Sequence, residues 1–160
     1  MGREKGQGKL ERLKNRLREK FANLAEPMNQ VEYTRENYDK LFPDGKVSTP
    51  IGGVEMREDQ FDKLNRKKRK YLLGAMHQTY TDPITVINEN RDGEISKIFG
   101  KSFNELGKST IIEAVTADRD GKTVGKSTHI RGTNNYLNKI KKSADLLYEK
   151  QISGVGTAEE

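Results

Sequence analysis

The chain holds two imidazoles, the side chains best matched to accept and donate protons near neutral pH. His129 stands two positions after Ser127 and two before Arg131. In an extended strand, with Val124 and Ile130 facing the core, Ser127 and His129 share the opposite face and Thr128 points with the apolar set. An imidazole beside a hydroxyl and a guanidinium suits a phosphodiester, with the ring as base or acid and Arg131 stabilising charge. His77 is the other candidate proton carrier, on chemistry alone, although a lone histidine is more often structural. Lys101, between Phe99 and Phe103 on one strand face, either binds phosphate or extends its ammonium outward along apolar surface. The block Arg66-Lys67-Lys68-Arg69-Lys70 is either a solvated face or a phosphate contact, which makes Lys70 a substrate-binding candidate.

Metal and nucleotide chemistry find less support. There is no cysteine, the two histidines are far apart, and no H-E-x-x-H motif occurs. Asp118-Arg119-Asp120-Gly121 lacks the rest of a calcium loop, and Gly52-Gly53 precedes Val54 where a phosphate loop would need a lysine. No metal ligand set and no cofactor is expected.

The elements that must position these residues begin with a basic amphipathic helix. Leu10, Leu13, Leu17, Phe21 and Leu24 recur at spacings of three and four, and Pro27 ends the stripe. That helix packs on its own domain, binds a partner or upstream segment, or touches nucleic acid. A short aromatic helix is expected before the turn Pro43-Asp44-Gly45, then an edge hairpin through Val47–Met56 with Gly52-Gly53 at its turn. One long helix is expected from about Glu58 to Tyr80. Strand chemistry follows at 84–87, 97–103, 110–116 and 123–130, separated by turns at Asp92-Gly93, 104–108 and Asp120-Gly121. Connections this short favour an antiparallel meander over parallel units with crossovers. A final helix is expected from about 133 to 150.

The fold class is therefore α+β, with a small antiparallel sheet of about four strands plus the hairpin, packed with a long helix and a C-terminal helix. The expected organisation is a helical extension over 1–32, one domain over 33–150 and a flexible tail over 151–160. Lysine and arginine outnumber acids by 30 to 24, a formal charge of +6, which favours an anionic partner. The lack of cysteine fits a reducing cytosol, and no apolar run is long enough to span a membrane or serve as a signal peptide. The expected location is cytoplasmic.

In order, Thr49-Pro50-Ile51-Gly52, Gln60-Phe61, the basic stretch through Arg69, Thr79 with Asp82-Pro83, and Ser127-Thr128-His129-Ile130 before an expected Asn- and Lys-rich helix resemble the phage-associated barnase-EndoU-colicin-RelE-like nuclease domains. The resemblance spans roughly 33–148. It implies helices on a small antiparallel sheet and metal-independent RNA cleavage on the sheet's open face, by attack of the ribose 2′-hydroxyl on its own phosphate. It also implies a toxin or effector module of phage or mobile-element origin, with transfer RNA as one substrate class and an immunity or carrier protein as a partner. By the resemblance, His129 is the general base or acid, Ser127 or Thr128 hydrogen-bonds substrate, and Arg69 neutralises the phosphorane or is a structural ion-pair partner. Thr79 matches a helix-end hydroxyl without an assigned role. The competing expectation is a noncatalytic nucleic-acid- or protein-binding module on the same fold. A transferase toxin would need an Arg/Ser-Thr-Ser/Glu-x-Glu set, which is not found.

Overall fold

The structure is a computed structural model describing residues 2–57 and 59–152, with side chains from residue 8 onward. The expected tail lies outside the described residues from 153 on. Five helices pack on a mixed seven-stranded sheet: α1 (Gly2–Asn23), α2 (Arg35–Leu41), β1 (Lys46–Thr49), β2 (Gly52–Met56), α3 (Asp59–Arg66), α4 (Leu73–Thr81), β3 (Thr85–Arg91), β4 (Glu94–Lys101), β5 (Thr110–Arg119), β6 (Lys122–Gly132), α5 (Thr133–Leu137) and β7 (Leu146–Glu149). The spatial order is β1-β2-β6-β5-β4-β3-β7, and every pair is antiparallel except β2 with β6.

The meander β3–β6 forms where alternation and turn chemistry place it. Asp92-Gly93 and Asp120-Gly121 are two-residue hairpin turns with positive φ at both residues, the geometry whose twist matches paired strands. The sheet itself is larger than the expected four strands. β1 and β2 add to it through a short parallel pairing, Glu55 with Val124 and Met56 with Gly125. The edge hairpin turns at Pro50-Ile51 rather than Gly52-Gly53, since Thr49 pairs with Gly52, whose φ of 119° needs a glycine.

The helix expected from 58 to 80 is two helices. After Arg66 the chain takes a left-handed residue at Lys68 (φ 57°), with Arg69 N–H donating to Leu64 O at 2.7 Å and Lys68 N–H to Asn65 O at 3.1 Å. These are the two bonds of a Schellman stop. Five consecutive cations disfavour continuing the helix, because like charges three and four apart would share a face. The helix expected over 133–150 is likewise replaced: α5 ends at Leu137, and β7 pairs with the otherwise open edge of β3. Hydrogen-bonding a free strand edge outweighs helical spacing there.

Helices pack on both faces of the sheet. On one, α2 and α4 bring Tyr38, Phe42, Leu73, Met76 and Tyr80 against Val86, Phe99 and Ala114. On the other, α1 and α5 bring Leu17, Phe21, Tyr136 and Leu137 against Ile87, Ile98 and Ile111. The apolar stripe of α1 thus packs on its own fold, with Leu17 and Phe21 buried and Leu10, Leu13 and Leu24 half-buried, and Arg16 and Lys20 tie the helix to Glu149 at 2.5 and 2.6 Å. Tyr136 anchors α5. Its hydroxyl lies 2.7 Å from Thr85 Oγ1 and 3.0 Å from Ile98 O, and a Cβ at Gly100 would come within 2.6 Å of its ring. The α1–α5 layer covers only part of its face, and the remainder of β3–β6 stays open.

Candidate active site

The open part of that face carries Glu89 on β3, Glu113 on β5, and Ser127, His129 and Arg131 on β6, with Lys139 after α5 at its border. Together they line a cavity of 450 Å³. Alternation brings Ser127 and His129 to one face as expected, and their side chains meet, with Ser127 Oγ 3.2 Å from His129 Nε2.

Glu113 is the residue that sequence reasoning passed over. It pairs with His129 across the β5–β6 ladder, its Oε2 4.0 Å from His129 Nε2 and 3.3 Å from Arg131 Nε. Its side chain is 1% exposed, and its Oε1 is buried without a hydrogen-bond partner among the described residues. A signal was present: Glu113 is the only charged residue within the apolar run Ile111–Val115, and a lone acid in such a strand needs a reason to be buried.

Register makes the pair. A two-residue turn at Asp120-Gly121 with unbroken pairing would set His129 opposite Ile112. Instead Thr116 pairs with Gly125 and Val115 with Ser127, so Lys126 is an extra residue in β6, and beyond it the ladder runs one position later. The bulge also changes which residues share faces. Val124, expected on the core face, lies with Ser127 and His129, whereas Thr128 and Ile130 lie on the opposite one. The bulged carbonyl, Lys126 O, is satisfied from α3, by Gln60 Nε2 at 2.9 Å and Lys63 Nζ at 2.6 Å.

The electrostatics of the site are dominated by burial and by cations. Burial, then the charges of Arg131, Arg69, Lys139 and Lys67, push the His129 imidazolium pKa down to about 4. Burial raises the Glu113 carboxyl above its ordinary value, against the pull of Lys139 and Arg131. In the free protein at neutral pH the imidazole is therefore uncharged.

The other expected site residues divide. Arg69 donates from Nη1 to Thr128 O at 2.7 Å, which fixes its guanidinium at the edge of β6. Thr128 is buried, and its hydroxyl has no partner among the described residues. His77 does not join the site: its ring packs edge-on against Phe42 at 5.5 Å, and burial lowers its pKa. Thr79 is buried and donates to Ala75 O at 2.8 Å within α4. Lys101 neither binds at the open face nor reaches outward; it is 0% exposed and pairs with Asp82 at 3.0 Å and Glu26 at 3.2 Å on the opposite face. Lys70 sits with its ammonium 5.5 Å from the centre of the Tyr33 ring.

Among the described residues no three His, Cys, Asp or Glu side chains converge to hold a metal ion, and no helix is long and apolar enough to cross a membrane. No family model, curated protein or solved structure matches the chain.

Proposed function

We propose that this chain is a metal-independent endoribonuclease that cleaves RNA to a 2′,3′-cyclic phosphate and a free 5′-hydroxyl. One observation carries the reading: a carboxylate, an imidazole and a guanidinium, Glu113, His129 and Arg131, share the open face of one antiparallel strand pair. The motif order resembling the barnase-EndoU-colicin-RelE-like nuclease domains and the basic charge support it.

Glu113 at the cavity floor accepts the proton of the ribose 2′-hydroxyl as that oxygen attacks phosphorus. Arg131 and Lys139 offset the charge that builds on the non-bridging oxygens. As the phosphorus–O5′ bond breaks, His129 delivers a proton to the leaving oxygen, with Ser127 Oγ steadying its ring. The acid must be charged to do this. A bound phosphodiester supplies a negative charge among Arg131, Arg69, Lys139 and Lys67, which returns the imidazole toward its ordinary proton affinity. Glu113 and His129 then exchange their protons with solvent to reset.

The neutral imidazole of the free protein favours a second reading, a module on the same fold that binds nucleic acid without cutting it. One experiment separates the two: labelled RNA incubated in chelator with wild type and His129→Ala, both shown to be folded by circular dichroism. Cleavage leaving cyclic-phosphate ends, lost in the variant, is the expected result; binding without cleavage by folded wild type would establish the second reading.

A further inference from the structure

We propose that a second cavity, on the other side of His129, is a nucleotide subsite, so that a single RNA strand crosses His129 with one nucleotide seated on each side. This cavity, of 290 Å³, lies between α3 and the outer edge of β6. Ser127 and His129 line it and also line the 450 Å³ cavity of the candidate active site, so the imidazole stands on the wall between the two. A mononucleotide would occupy one side only. A strand whose reacting phosphate lies over His129 occupies both.

The chemistry of the second cavity differs from that of the first. The larger cavity mixes its cations with Glu89, Asp92, Glu94 and Glu113. The smaller one is lined by Lys63, Lys67 and Arg69, with no acidic side chain among the described residues that line it. Lys63 is committed to Lys126 O and Asp59, at 2.6 and 3.8 Å. The Lys67 N–H donates to Lys63 O, but its ammonium has no hydrogen-bond or ion-pair partner among the described residues. Arg69 is held by a single Nη1 bond to Thr128 O, which orients its guanidinium and leaves its other nitrogens to donate to an anion. Both Lys67 and Arg69 face His129 closely enough to help depress its pKa.

The rest of the wall suits a nucleoside. Leu64, buried at the end of α3, gives an apolar surface, and Gln60 spends Nε2 on Lys126 O while its Oε1 accepts no hydrogen bond among the described residues. Two cations for a phosphate, an apolar wall and one free acceptor match a nucleotide of single-stranded RNA. The volume is at the small end of ligand sites, which suits one base rather than a duplex.

The inference rests on the nuclease reading only for where the reacting phosphate lies, so its test uses binding. The probes are a dinucleoside monophosphate lacking the attacking 2′-hydroxyl, which cannot be cleaved, and the matching mononucleotide. The dinucleotide is expected to shift the amide resonances of Leu64 and Lys67 together with those of Arg131 and Lys139, whereas the mononucleotide shifts one set. Lys67→Ala should weaken dinucleotide affinity about fivefold to tenfold and lower the salt dependence of binding by about one charge, with thermal stability unchanged. Lys67→Glu should weaken it further. Dinucleotide shifts confined to one cavity, or both Lys67 variants binding as tightly as wild type, would overturn the subsite. If the dinucleotide spans both cavities while RNA stays intact, the subsite stands and the nuclease reading falls. If both Lys67 variants cleave RNA and bind the dinucleotide with unaltered affinity, the nuclease reading stands and the subsite falls.

Discussion

Glu113 and His129 face each other across the β5–β6 ladder, with Glu113 Oε2 4.0 Å from His129 Nε2, and Arg131 Nε lies 3.3 Å from the same carboxylate oxygen. An acid buried to this degree is held by its neighbours rather than by water, so its charge and position depend on the two residues it serves.

Glu113→Gln keeps the shape of the side chain and removes its basicity. RNA cleavage is expected to fall by about 10²- to 10⁴-fold, the usual worth of a positioned general base, with the fold intact by circular dichroism. Gel analysis of end-labelled RNA measures the loss; activity within twofold of wild type would remove Glu113 from the chemistry.

The pH dependence of cleavage should differ between free and substrate-bound protein. His129 must be protonated to act as the acid, and in the free protein its pKa is about 4. Glu113 must be ionised and has the higher pKa of the two, so the reacting form is a minor one in the free protein, and kcat/KM is expected to show its acidic limb near 4, set by His129, and its basic limb at the raised pKa of Glu113. Both limbs of kcat should lie higher, the acidic one by about one to two pH units, because bound phosphate offsets the surrounding cations. Coincident limbs would mean that His129 is not the titrating acid.

The same imidazole links stability to pH. Its folded pKa of about 4 lies below its ordinary 6.5, so between those values the unfolded chain binds more protons. The contribution is fully present above pH 6.5 and is lost as pH falls toward 4; the shift corresponds to about 3 kcal/mol, reduced to about 2 kcal/mol because the ring keeps contact with solvent. Urea unfolding at pH 7 and pH 4.5 should show a smaller acid-induced loss for His129→Gln than for wild type. An equal loss would locate the acid sensitivity elsewhere, such as at His77, whose pKa is also depressed by burial.

Lys101 should behave as a structural residue. Its ammonium, 0% exposed, donates to Asp82 O at 2.7 Å and pairs with Asp82 and Glu26 carboxylates that remain partly solvated. Lys101→Met is expected to cost about 2 to 3 kcal/mol, since the two carboxylates keep some access to water. The KM for RNA should stay unchanged in the folded variant. A raised KM without loss of stability would return Lys101 to a phosphate-binding role.

Several features of this protein were set within short stretches of its own sequence. Apolar spacing from Leu10 to Leu24 specifies α1, and alternation with Asp-Gly turns at 92–93 and 120–121 specifies the meander, because both signals depend only on neighbouring residues. The shared face of Ser127 and His129 follows from the same local rule.

Tertiary structure decided what those rules cannot reach. The open edge of β3 draws Leu146–Glu149 into a strand, by pairing across the sheet that outweighs local spacing. Above all, the single extra residue at Lys126, its carbonyl held by Gln60 and Lys63 from another element, shifts the ladder by one and sets Glu113 rather than Ile112 opposite His129. A bulge is stabilised by bonds from distant parts of the chain, so the residue that completes the candidate site was determined only when α3 packed against β6.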